Sequence, residues 1–258
     1  MGGKSMATGK GRVDWLGKHF EFNAKKYAYS YSNWEPRRAR MLEIMPQEGI
    51  SRALEAGCGS NPLIEALPAG VEKFGLDIAR QRPKGVKFRR HNVEDGIPFA
   101  DGYFDLVVAG EIIEHVYETG RFLRECNRVL RKGGTLLVST PNTGSLRNIK
   151  DAILGRQPRY MDYDAVLRPR DSGHIRHYSR SALFSQLWEC GFSAERLTSD
   201  FVYFPLHFHI KPIGWLGEKL AALVPRYGDS LIVRARKISD HNYCAPGKFC
   251  GFLAQGVF

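Results

Sequence analysis

Leu54-Glu55-Ala56-Gly57-Cys58-Gly59-Ser60-Asn61 is the stretch that decides how this chain folds. A β-rich run, Arg52 to Ala56, leads into it, and a helical pattern, Leu63 to Leu67, follows it. Glycines at a strand-to-helix turn allow tight bending and let a ligand come close to the backbone, while the N-terminus of the following helix contributes partial positive charge. The next β-rich run ends Gly75-Leu76-Asp77-Ile78. That places a carboxylate about 20 residues beyond the loop, where an acid on a neighbouring strand can accept hydrogen bonds from both ribose hydroxyls. Loop and acid together predict a nucleoside-containing cofactor.

Outward from this point, β-rich runs alternate with helical ones. Lys73 to Ile78, Val86 to His91, Phe104 to Ala109 and Thr135 to Thr140 follow the first strand, and Ser193 to Thr198 and Ser230 to Arg236 close the series. Such alternation, with strands apolar on both faces, predicts a mostly parallel sheet covered by helices. The clearest helix carries Phe122, Leu123, Cys126, Val129 and Leu130 at spacings of one, three and four, with arginines between them, and Lys132-Gly133-Gly134 is its expected stop. A second helix is expected from about Ser181 to Cys190, capped by Ser179 and closed by Gly191, and a third begins at Glu35-Pro36. Residues 1–35 read as an arm and pocket cover, 36–236 as one domain, and 237–258 as a tail. Within the domain, 143–178 is a polar, basic insertion of the length that lids have, and 201–225 is an aromatic-rich excursion.

Composition removes several classes. Of 258 residues, 43% are hydrophobic and 25% charged, which excludes a disordered or fibrous chain. The most apolar tract, Phe201 to Val224, is interrupted by His207, His209, Lys211, Glu218 and Lys219, so no transmembrane segment is expected. The first residues lack an apolar signal region, and a cytoplasmic location is the expectation. Five cysteines form no CxxC pair, and Cys244 and Cys250 lack a second pair to complete a zinc site, so reduced thiols and no metal are expected. The formal charge of +11 favours anionic partners without choosing among them.

Five segments in order resemble the class I S-adenosylmethionine-dependent methyltransferases, in particular the branch with small-molecule and saccharide enzymes. LEAGCGSN resembles the family's glycine-rich motif, GLDIA its acidic second strand, and HNVEDGIPFADGYFDLVVAGEIIEHV its run through the fourth strand. RVLRKGGTLLVSTPN resembles the helix and fifth strand, and GHIRHYSRSALFSQLWECGF the segment after the insertion. The resemblance covers residues 36 to 236 and implies a Rossmann-like α/β fold: a seven-stranded, mostly parallel sheet, helices on both faces and an antiparallel closing strand. It also implies S-adenosylmethionine as cofactor. Glu55, Gly57 and Gly59 would surround its methionine moiety, Asp77 with Ile78 its ribose, Asn92 and Val93 its adenine, and Gly110 and Glu111 its other side. Two positions depart from the family pattern. Asn61 stands where a third small residue is usual, and Asn92 where an acid is usual.

The resemblance further implies displacement at a sulfonium methyl, for which positioning supplies much of the acceleration and a base is optional. The candidate bases are His115, just after the fourth strand, and His174, in Gly173-His174-Ile175-Arg176-His177-Tyr178. A structural role stays open for both. No Asn- or Asp-Pro-Pro-aromatic motif follows strand four, where the chain reads Ala109-Gly110-Glu111-Ile112, and no Pro-Cys nucleophile or RNA-binding module is present. O-methylation of a small polar or anionic metabolite or saccharide is therefore the leading expectation. RNA methylation, on net charge, and a non-catalytic binding protein are the alternatives.

From Arg147 to Arg180 the insertion holds eight Lys or Arg against four Asp, interleaved with Tyr160, Tyr163 and Tyr178, as a grip on an anionic ring-bearing substrate requires. A solvated lid without specific contacts fits the same composition. The Phe201 to Val224 tract fits core packing or a homodimer contact better than it fits a lipid-linked substrate or membrane face.

Overall fold

The computed structural model describes residues 34–80, 83–158, 173–203, 219–221 and 223–240. The aromatic arm, the centre of the insertion, most of the 201–225 excursion and the tail with Cys244 and Cys250 lie outside the described residues.

Seven strands form the sheet: β1 Arg52–Ala56, β2 Glu72–Asp77, β3 Lys87–Arg90, β4 Phe104–Gly110, β5 Leu130–Pro141, β6 Phe192–Thr198 and β7 Ser230–Lys237. Their order across the sheet is β3-β2-β1-β4-β5-β7-β6. β1 to β5 pair in parallel, and β7 is antiparallel to both β5 and β6. This is the architecture the sequence implies.

Period-two alternation sends neighbouring residues to opposite faces, and both faces are apolar. Leu54, Val107, Ala109, Leu136 and Val138 join a core with Phe122, Leu123, Cys126, Leu183 and Leu187. These helical residues belong to α2 Thr119–Val129 and α4 Arg180–Glu189. Ala53, Leu106, Val108 and Leu137 face the other way, onto Met41 and Ile44 of α1 Trp34–Ile44 and onto Leu63, Ile64 and Leu67. Burying each large side chain of this kind stabilises the fold by roughly 1.5 to 3 kcal/mol. Cys58, Cys126 and Cys190 are buried free thiols, as expected of the ones described. No helix among the described residues is long and apolar enough to cross a membrane.

Three local expectations are corrected. The glycine loop leads into a four-residue 3-10 turn, Leu63–Ala66, with no α-helix. Pro68 holds the preceding Leu67 in extended backbone and ends the run after one turn, so no α-helix dipole faces the loop. The second helix ends at Val129, ahead of its glycine stop, because Leu130 already pairs with Phe104. The β4–β5 register then jumps to Leu106 and Thr135, and Lys132-Gly133-Gly134 falls in the irregular entry to β5. Finally, the insertion contains a helix, α3 Leu146–Ile153, whose cap Ser145 accepts a hydrogen bond from Asn148 N at 3.2 Å. The expected Ser179 cap of α4 is present, accepting from Ala182 N.

Candidate active site

β1 lies between β2 and β4, so the chain connections leave it in opposite directions and open a crevice at the strands' carboxyl ends. Every cofactor residue expected from the sequence lies on this rim. Gly57 N and Cys58 N both donate to Leu76 O, at 2.8 and 3.0 Å, folding the glycine loop over the end of β2. Gly57 has φ +72°, and a Cβ there would come within 2.8 Å of Ile112 Cδ1. Gly59 has φ +54°, and a Cβ there would meet nothing within 4 Å. One glycine is required by packing, and the other leaves backbone open to a ligand.

Asp77 closes the loop. Its Oδ2 accepts from Gly59 N at 2.9 Å and its Oδ1 from Ala79 N at 2.8 Å. Burial raises its pKa, against the lowering effect of these N–H groups. Ile78 O accepts from Arg90 Nε at 2.8 Å. Asn92 caps the 3-10 turn Val93–Asp95, its Oδ1 accepting from Glu94 N at 3.1 Å, while Val93 packs in the core. Glu55 is buried, with Oε2 accepting from Ile64 N at 3.0 Å, and burial pushes its pKa up to about 8. Burial likewise drives the Cys58 thiol up, which makes it a poor nucleophile.

On the other side of the crevice, β4 ends at Gly110, which Met41 approaches from α1. Glu111 follows with φ +50°, and it is the sole non-glycine residue at positive φ among the described residues. Its N–H donates to Ser139 O at 3.1 Å, Ser139 Oγ donates to its Oε1 at 2.9 Å, and Arg37 Nη1 pairs with its Oε2 at 2.8 Å. Arg37 Nε also donates to Ser230 Oγ at 3.1 Å and lies 3.5 Å from Asp200 Oδ2. Arg37, Ser139, Asp200 and Ser230 were not expected from the sequence. They come from four distant segments, and no local spacing links them.

The two histidine candidates meet. His115 and His174 stack edge-to-face with ring centroids 4.7 Å apart, although 58 residues separate them in the chain. His115 Nδ1 is 3.0 Å from Gly173 O, and Ile175 N donates to Glu114 O at 3.0 Å, so the segment after the insertion is tied to the turn after β4. Between them lies Glu114, fully buried, with Oε1 3.8 Å from His174 Nε2. Burial first and the neighbouring Glu111 charge second push its pKa well above the usual carboxylate range. Glu114 was missed as a site residue, although an acid three positions after Glu111 and directly before His115 is a readable signal.

This crevice has an acid-closed glycine loop on one side and a histidine pair on the other. Residues 25–197 match the family model described as a methyltransferase domain. The chain belongs to this methyltransferase family. A Mycolicibacterium smegmatis protein named "Probable S-adenosylmethionine-dependent methyltransferase" is 30% identical over 187 residues, covering 69% of this chain and 61% of that one. A ubiquinone biosynthesis O-methyltransferase from Methylococcus capsulatus is 28% identical over 155 residues, covering 53% and 65%. The chain thus spans less than two thirds of the length of either relative. In three dimensions, the Burkholderia thailandensis 1,6-didemethyltoxoflavin-N1-methyltransferase, solved with S-adenosylhomocysteine bound, superposes with a TM-score of 0.58 at 14% identity, covering 92% and 94% of the two chains. This methyltransferase therefore shares the fold of S-adenosylmethionine-dependent enzymes.

Proposed function

We propose that this methyltransferase transfers the methyl group of S-adenosylmethionine to an oxygen atom of a small polar or anionic acceptor. The observation that carries the reading is the shared crevice: the Gly57–Gly59 loop closed by Asp77 on one wall, and His115 with His174 on the other. Gly59 fits a cofactor, since its backbone is open where a side chain would stand. Glu55, Gly57 and Gly59 would hold the methionine part, Asp77 and Ile78 the ribose, Asn92 and Val93 the adenine, and Gly110 and Glu111 the far side. When bound, S-adenosylmethionine supplies an electrophilic sulfonium methyl.

The chain's own residues supply alignment and a proton path. The crevice sets donor and acceptor in contact, the step from which most of the acceleration is expected. As the acceptor oxygen takes the methyl, its proton leaves toward the Glu114–His115–His174 cluster or to water. An oxygen acceptor agrees with the name of the Methylococcus relative. A +11 chain also favours RNA, and that reading requires a steep salt dependence of RNA binding.

Calorimetry with S-adenosylhomocysteine, followed by transfer of labelled methyl into fractionated cell extract, tests the proposal. Label entering a small molecule and released from it as methyl iodide by hydriodic acid, as an O-methyl group is, supports it. Label in RNA or protein, or no binding at millimolar ligand by folded protein, overturns it.

A further inference from the structure

We propose that Glu114, His115 and His174 form a binding site for one divalent first-row transition-metal ion. Each residue offers one ligand atom, and these atoms lie within 4.8 Å of one another. The cluster is buried on the Glu114 and His174 sides and partly exposed at His115, so it is walled by protein and reachable from the crevice.

Three features beyond proximity point to a cation. Glu114 is fully buried, and neither of its carboxylate oxygens has a hydrogen bond of good geometry among the described residues, although Thr140, its own backbone N–H and the acid Glu111 lie close. A buried carboxylate left in that state is costly unless a cation or proton joins it. His115 is held in a tautomer that leaves a lone pair free to ligate: Gly173 O can only accept, so Nδ1 carries the hydrogen and Nε2 carries the lone pair. Donation of the second ring N–H to a backbone carbonyl is the usual support of a metal-bound imidazole. Lastly, 3.8 Å between His174 Nε2 and Glu114 Oε1 is too long for a hydrogen bond. Two ligands that share an ion at about 2.1 Å lie roughly 3 to 3.5 Å apart, so a small inward movement completes the contact.

The donor set selects the ion. Two imidazoles with one carboxylate suit zinc, manganese, iron or cobalt, whereas magnesium and calcium take shells of oxygen. Three protein ligands leave a position open, and a hydroxyl oxygen placed there is more easily deprotonated. That use of the ion rests on the proposed O-methylation, whereas the ion site itself does not.

The test uses the full chain carrying Cys244→Ser and Cys250→Ser, stripped with a chelator and titrated with cobalt(II), whose visible absorption reports imidazole ligation. One cobalt per chain is expected, with Glu114→Gln and His174→Ala each weakening uptake on the order of a hundredfold or more. Circular dichroism and S-adenosylhomocysteine binding on the same samples show that fold and donor site are intact, so loss of the ion site is separable from failure of the methyl-donor reading. Absence of spectral change at millimolar cobalt in folded protein overturns the proposal and leaves a His174–Glu114 ion pair. Equal uptake in wild type and both variants overturns it as well, as does displacement of cobalt by equimolar magnesium.

Discussion

Asp77 and Glu114 are both acids at the carboxyl ends of the central strands, and they are held in opposite ways. Each Asp77 oxygen accepts a backbone N–H, from Gly59 or from Ala79. Glu114 is more deeply buried, and neither of its oxygens has a hydrogen bond of good geometry among the described residues. The β1–β2 wall is therefore complete in itself, with its acid used to shape the loop. The β4 wall holds an acid whose burial makes sense once something else enters. Glu55 stands between the two, with the backbone N–H groups of Ile64 and Leu63 turned toward it and a pKa raised by burial all the same. The difference separates a wall that only needs to keep its shape from one that needs an occupant, and it can be probed acid by acid and turn by turn.

The largest effect is expected from breaking the finished wall at its tightest point. Gly57→Val combines a β-branched residue at φ +72° with a Cβ only 2.8 Å from Ile112 Cδ1. Strain and overpacking together are expected to cost about 3 to 5 kcal/mol of stability. Gly59→Ala, at φ +54° with nothing within 4 Å, carries only the backbone strain, about 1 to 2 kcal/mol. Denaturant unfolding of the pair checks this. Equal losses would mean that Ile112 yields, and that the wall is less finished than its hydrogen bonds imply.

Glu55→Gln sharpens the comparison through pH. The folded-state pKa of about 8 lies above the ordinary 4.5, so between these values the folded chain holds a proton that the unfolded chain has released. Stability is then intact below about pH 4.5, falls as pH rises toward 8, and levels off above it. At about 1.4 kcal/mol per pH unit the loss at alkaline pH reaches up to about 5 kcal/mol. Gln keeps an acceptor for Ile64 N and never ionises, so the variant is expected to be more stable than wild type at pH 8.5 by about 2 to 4 kcal/mol, and to match it near pH 4.5. Parallel stability curves across that range would show that Glu55 stays ionised in the fold.

What could be read from the sequence, and what could not, follows the same division. The strands, the Gly57–Gly59 turn and Asp77 were legible because alternation, glycine and spacing are local properties of the chain. The α-helix expected after the loop failed because Pro68 holds Leu67 in extended backbone and cuts the apolar run of Leu63 to Leu67 to a single turn. Helix α3 was hidden in a basic stretch read for its charge, although Ser145 is a sound cap. On the β4 wall, His115 and His174 were legible singly, as residue types. Their meeting across Glu114 is a product of chain crossover, and so is the convergence of Arg37 on Glu111 and Asp200.

The smallest expected effect decides whether Asp77 does more than hold its loop. Asp77→Asn keeps the shape of the side chain but leaves one carbonyl oxygen where two acceptors stood, so either Gly59 N or Ala79 N faces an amide N–H. Loop and ligand effects then arrive together, and a simple loss of affinity is ambiguous. A cycle with two ligands separates them. S-adenosylhomocysteine and an analogue lacking the ribose hydroxyls are each measured against wild type and Asp77→Asn by calorimetry. If Asp77 also receives the ribose, the substitution is expected to weaken the complete ligand by about 1 to 1.5 kcal/mol more than the deoxygenated one, close to a tenfold difference. Equal weakening of both ligands would confine Asp77 to building the loop and leave ribose recognition to other groups on the rim.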